Sequence, residues 1–88
     1  MKIKSGFMTR KIGDKIVGVP VGERTNDFNG MINLNDTGLF IWKCLENETT
    51  VEEISEKLTT EYDIDFETAM KATNNFVNQL KKHKFIEE

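Results

Sequence analysis

The chain has 88 residues, 12 of them basic and 15 acidic, for a formal charge of −3; that length builds one hydrophobic core and is too short for two. A domain of this size buries only about 60 to 65% of its unfolded surface, which favours a binding module that borrows burial from a partner over a self-sufficient enzyme. A single cysteine excludes an internal disulfide and a thiolate metal cluster, and no stretch approaches the ~20 apolar residues of a membrane span.

Met1 to Lys15 carries Lys2, Lys4, Arg10 and Lys11 among scattered apolar residues and has no unbroken apolar run, so no signal peptide is read and a soluble, cytoplasmic domain is expected. The charge is uneven. Residues 1–34 hold six basic and three acidic groups, whereas residues 35–88 hold six basic and twelve acidic groups. This is either an ordinary solvated helical surface or a basic sheet end that orients an acidic ligand.

Strands are predicted first. Phe7–Ile12 and Lys15–Val19 flank Gly13-Asp14, and a two-residue loop that begins with glycine suits a II′ hairpin turn. Pro20 ends that ladder. Val21–Asn29 is made of turn formers and charges and reads as a polar connection. Gly30–Leu34 follows as a short third strand whose period of two puts Ile32 and Leu34 on one face and Met31 and Asn33 on the other. It carries neither charge nor proline, the usual protections of a sheet edge, so its backbone is open to pairing with a partner.

From Asn35 the pattern is helical. Asn35 caps a helix over Asp36–Glu46 whose middle, Leu39 to Trp42 with Cys44 and Leu45, is apolar nearly all round and therefore central. Thr50-Val51-Glu52-Glu53 is a capping box that opens a second helix running to about Tyr62, with Val51, Ile54, Leu58 and Tyr62 as its buried stripe. Asp65 caps a third helix to about Lys82, with Phe66, Met70, Thr73, Phe76 or Val77, and Leu80 at helical spacing. The tail His83–Ile86 folds back so that Phe85 and Ile86 close the core, and Glu87 and Glu88 are expected to fray.

Residues for catalysis are scarce. The one histidine, His83, sits among Lys81, Lys82 and Lys84, where a cation complements a helix C-terminus. Cys44 has the spacing of a core residue, and the carboxylates Glu52, Glu53 and Glu56 lie on a helix surface. Gly30 lacks the following glycine spacing and Lys-Ser/Thr of a phosphate loop, and Asp63-Ile64-Asp65 is a turn and a cap rather than a calcium loop. No catalytic residue, metal site or cofactor is expected. A helix-turn-helix order raises nucleic-acid binding, but the third helix opens with Asp65-Phe66-Glu67, which phosphates would repel.

In this order the segments resemble the PqqD-like family over nearly the whole chain. The resemblance is carried by Gly6-Phe7 and Arg10, by Asn33 to Gly38 running into Phe40-Ile41-Trp42 and Leu45, by Thr50 to Ile54 through Leu58, by Glu61 to Asp65, and by Phe76-Val77 with Leu80 through Phe85-Ile86. It implies an α+β, winged helix-turn-helix-like fold: three N-terminal antiparallel strands and then a three-helix unit. It also implies a peptide chaperone, the recognition element for precursors of ribosomally made, modified peptides. The family's namesake presents the precursor of pyrroloquinoline quinone to a radical S-adenosylmethionine enzyme.

In that family the leader peptide adds as a strand beside the third strand and lies against the third helix. Carried to this sequence, Gly30, Met31, Ile32, Asn33 and Leu34 receive the leader. Met70, Thr73, Asn74, Val77 and Lys81 lie at spacings of three or four along one helix face and form the groove floor, the alternative being that Met70, Thr73 and Val77 are core alone. The partners implied are a precursor peptide and a modifying enzyme, with no nucleic acid and no membrane. The competing readings are a structural module whose same edge pairs with its own copy in a weak homodimer, and a winged-helix nucleic-acid binder.

Overall fold

Strand β1 (Lys2–Ile3) leads into a hairpin of β2 (Phe7–Ile12) and β3 (Lys15–Pro20) in the computed structural model, which describes residues 1–22 and 31–87. Then come β4 (Ile32–Leu34), the helices α1 (Asp36–Cys44), α2 (Val51–Glu61) and α3 (Phe66–Lys82), and a final strand β5 (Ile86–Glu87). The three expected antiparallel strands form one sheet in the order β2-β3-β4, and the three helices follow them. A second sheet of two strands pairs β1 with β5, Lys2 opposite Glu87 and Ile3 opposite Ile86.

The hairpin has the turn its sequence specifies. Ile12 pairs with Lys15 across a two-residue loop in which Gly13 takes φ of 63° and Asp14 does not share the positive sign, the pattern of a II′ turn. Pro20 is the last residue of the ladder, opposite Phe7. The third strand is shorter than expected at its start: Met31 precedes β4, Gly30 lies outside the described residues, and so does most of the polar connection Val21–Asn29.

All three helix caps form. The side-chain oxygens of Asn35, Thr50 and Asp65 accept from the backbone N–H of Gly38 at 2.7 Å, Glu53 at 3.2 Å and Thr68 at 2.7 Å. Helix α1 stops at Cys44, two residues short of the expected Glu46, because the chain tightens there into bonds from Glu46 N–H to the Lys43 carbonyl and from Asn47 N–H to the Cys44 carbonyl. Helix α3 ends in a Schellman turn: Lys84, at φ of 63°, donates to the Lys81 carbonyl, and Phe85 donates to the Leu80 carbonyl.

That turn throws Phe85 and Ile86 back over the core, and it also makes β5. The expectation that Glu87 frays is corrected here, since its backbone pairs with Lys2. Two-residue strands carry no periodicity, and nothing local announces a pairing between the two ends of a chain.

The core is centred on α1. Ile41, Trp42 and Leu45 pack with Ile54 and Leu58 of α2 and with Ala69, Val77 and Leu80 of α3, while Leu34, Ile3, Phe85 and Ile86 close the sides. Among the described residues no helix is long and apolar enough to cross a membrane.

Candidate functional site

Which backbone groups β4 offers follows from the hairpin. In a two-residue hairpin the pair flanking the loop is hydrogen-bonded, and bonded and non-bonded pairs alternate from there. Lys15, Val17 and Val19 therefore direct their N–H and C=O at β2, which leaves those of Ile16 and Gly18 for β4. Their register partners are Leu34 and Ile32, so both β4 residues turn their backbone inward. Asn33, between them, turns its N–H and C=O outward. Among the described residues no strand occupies that side of β4.

The side chains divide as the period of two requires. Leu34 is buried and Ile32 half-buried against the helices, while Asn33 is exposed and Met31 is 59% exposed. The strand is held close to α1 by an absence of side chain at Gly18: a Cβ there would come within 2.7 Å of the Trp42 ring and 3.0 Å of Ile32.

At the end of β4 the chain enters α1 through Asn35, and beside this junction lies a cavity of about 320 Å³ between α1 and α3. Asn35, Thr37 and Ile41 line one side, and Ala72, Asn75, Phe76 and Gln79 line the other. Gly38 lets the Phe76 ring rest on the α1 backbone, since a Cβ at that position would lie 3.1 Å from the ring and 3.1 Å from the capping Asn35 oxygen. The result is an apolar floor with an amide rim and no charged side chain among its lining. A second cavity of about 450 Å³ sits at the hairpin-loop end, where Asp14, Lys15 and Asp36 surround Asn33 and Leu34.

The α3 residues singled out from sequence are placed differently. Thr73 is fully buried and Val77 is 2% exposed, both in the core, and Met70 is half-buried. Asn74 and Lys81 are exposed, but each lies two positions beyond a cavity residue, Ala72 and Gln79, and so about 200° round the helix. The face that meets the cavity is Ala72, Asn75, Phe76 and Gln79. The open choice between Phe76 and Val77 decided this: Val77 is the core residue, and Phe76 belongs to the groove side. The signal in the sequence was a single aromatic in a row of small and amide residues, which an apolar-stripe reading passes over.

The remaining reactive groups are quiet. Burial pushes the Cys44 thiol above its ordinary pKa, with Lys57 opposing, so it stays protonated at neutral pH. His83 is exposed at the α3 C-cap with its ring 6.4 Å from that of Phe85. Among the described residues no group of three or more His, Cys, Asp or Glu is placed to hold a metal ion.

The family model described as Coenzyme PQQ synthesis protein D (PqqD) matches residues 19–86. The chain is similar to the solved structure described as TbiB1 in complex with the TbiA(beta) leader peptide, with a TM-score of 0.77 and 25% sequence identity over 99% of this chain and 95% of that one. No curated protein matches it.

Proposed function

This chain belongs to the PqqD family, and from that premise we propose that it binds the leader region of a ribosomally made precursor peptide along β4 and presents it to a modifying enzyme. The observation that carries the reading is the outward N–H and C=O of Asn33 on an edge strand without charge or proline. That the similar TbiB1 structure holds a leader peptide adds support. In this reading Met31, Ile32, Asn33 and Leu34, with Gly30 before them, receive an added strand. Ala72, Asn75, Phe76 and Gln79 form the opposite wall.

The geometry apportions the work. A three-residue edge strand offers few main-chain bonds, each worth only ~0.5 to 1.5 kcal/mol net. These set direction and register. Affinity and choice then fall to side chains seated in the groove, where burying one Leu-sized group contributes roughly 1.5 to 3 kcal/mol. Ordering a flexible leader offsets part of this gain, which puts the complex in the micromolar range. The chain supplies orientation rather than chemistry. The catalyst is the partner, a modifying enzyme such as the radical S-adenosylmethionine enzyme that the family's namesake serves.

The test is a titration of isotope-labelled protein with leader peptides drawn from short open reading frames that neighbour its gene, followed by NMR. Amide shifts are expected at Ile32–Leu34 and on Asn75, Phe76 and Gln79. Shifts confined to Asn74 and Lys81 would move the site to the other face of α3, and a stable dimer that blocks peptide shifts would mean that the edge serves self-association.

A further inference from the structure

We propose that the peptide segment lying along α3 is acidic, with carboxylates spaced to meet Lys71 and Lys82; this rests on the leader-binding reading above. The chain has 15 carboxylate side chains, yet none falls between Thr68 and the end of α3 at Lys82. Nine fall between Glu46 and Glu67 alone. Helix α3 thus carries one carboxylate, Glu67 in its first turn, and none from Thr68 onward, while α2 and its flanking connections are acid-rich.

On α3, Lys71, Asn75, Asn78 and Lys82 recur at intervals of four, three and four, all exposed. Helical geometry makes them one stripe. Asn75 also lines the cavity, so the stripe runs along the solvent side of α3 and meets the groove at Asn75. Neither lysine forms an ion pair among the described residues. They stand eleven positions apart, about 16 Å along the axis, which an extended chain spans in about five residues. Glu67 stands one turn before Lys71 at the start of α3, and two carboxylates, Asp14 and Asp36, stand with Lys15 at the separate cavity at the hairpin-loop end. An acidic peptide is therefore drawn to the α3 wall and repelled from that end, which fixes its position along the groove as well as its charge.

The experiment measures affinity for the leader peptide that the NMR titration above identifies, and for the same peptide with its Asp and Glu replaced by Asn and Gln. The wild type, Lys71→Glu/Lys82→Glu, the milder Lys71→Gln/Lys82→Gln and a Lys57→Glu control on α2 are compared, each checked for intact helices by circular dichroism. Two exposed charge pairs are worth up to about tenfold in affinity. The charge reversal is expected to weaken the native peptide by about tenfold at low salt. The gap should close at high salt, where the Debye length shrinks to a few Å, and the control should stay within about twofold. The amide peptide should bind the wild type as weakly as the native peptide binds Lys71→Gln/Lys82→Gln. A native peptide that still shifts the Asn33 amide but ignores the lysines and the salt overturns the charge assignment and leaves leader binding standing. Absence of any binding to the wild type removes both.

Discussion

Gly18 shows how one missing side chain sets the position of a whole strand. Its backbone conformation is ordinary for a strand; what it provides is room, because the Trp42 ring of α1 occupies the place a methyl group would take, 2.7 Å from it, with Ile32 of β4 at 3.0 Å. Trp42 is 2% exposed and held on its other flank by Phe85, with ring centroids 6.0 Å apart in an edge-on contact, so it has nowhere to retreat. Gly18→Ala is expected to destabilise the fold by about 1 to 3 kcal/mol, the range for overpacking a tight core. It should also push β4 outward, disturbing the Ile32 amide before that of distant Leu58. Denaturant unfolding and a proton–nitrogen NMR spectrum of the variant measure the two effects, and an unchanged midpoint would show that Trp42 yields freely.

At the scale of elements, the helix starts are controlled by their caps, and one of these titrates. The Thr68 N–H bond to the Asp65 side chain holds that carboxyl below its ordinary pKa. Because the folded-state value is the lower one, the stabilisation is full above the unfolded carboxylate value, about 3.9, and is lost as pH falls through the folded value. Acid titration followed by helix signal should therefore show α3 weakening in that window. Asp65→Asn, which keeps an accepting oxygen without a titrating proton, should flatten that part of the curve; an identical curve would mean that other carboxylates govern acid unfolding.

Such local devices are why so much of the fold was legible in the sequence. Gly13-Asp14, Asn35, Thr50 and Asp65 each act within three residues of themselves, and the all-round apolarity of Leu39–Trp42 marks α1 as central without reference to anything else. The groove face of α3 was not legible in that way. Val77 and Phe76 are equally apolar, and only the packing of α1, through Gly38 against Phe76, decides which of them enters the core.

The molecule as a whole is closed by a clasp that no local pattern announces. The Schellman turn at Lys84 sends the chain back to form β5, which pairs with β1, and the joint is tied by bonds from Ile3 N–H to the Leu45 carbonyl at 2.8 Å and from Lys4 N–H to the Phe85 carbonyl at 2.9 Å. Phe85 stacks on Phe7, with centroids 4.4 Å apart, so the clasp reaches the hairpin as well as α1 and α3. Its strands lie in a sheet of their own, apart from the one that holds β4, and meet β4 only through the common core. Ile86→Ala removes a side chain that is 7% exposed and is expected to cost about 2 to 4 kcal/mol, with hydrogen exchange accelerating at Ile3, Lys4 and Phe85. Affinity for the leader peptide should stay within about twofold while the protein remains folded, since Ile86 pairs with β1 in a sheet separate from that of β4. A matching loss of affinity in the folded variant would mean that the clasp and β4 form one cooperative unit, with the edge strand positioned from the far side of the core.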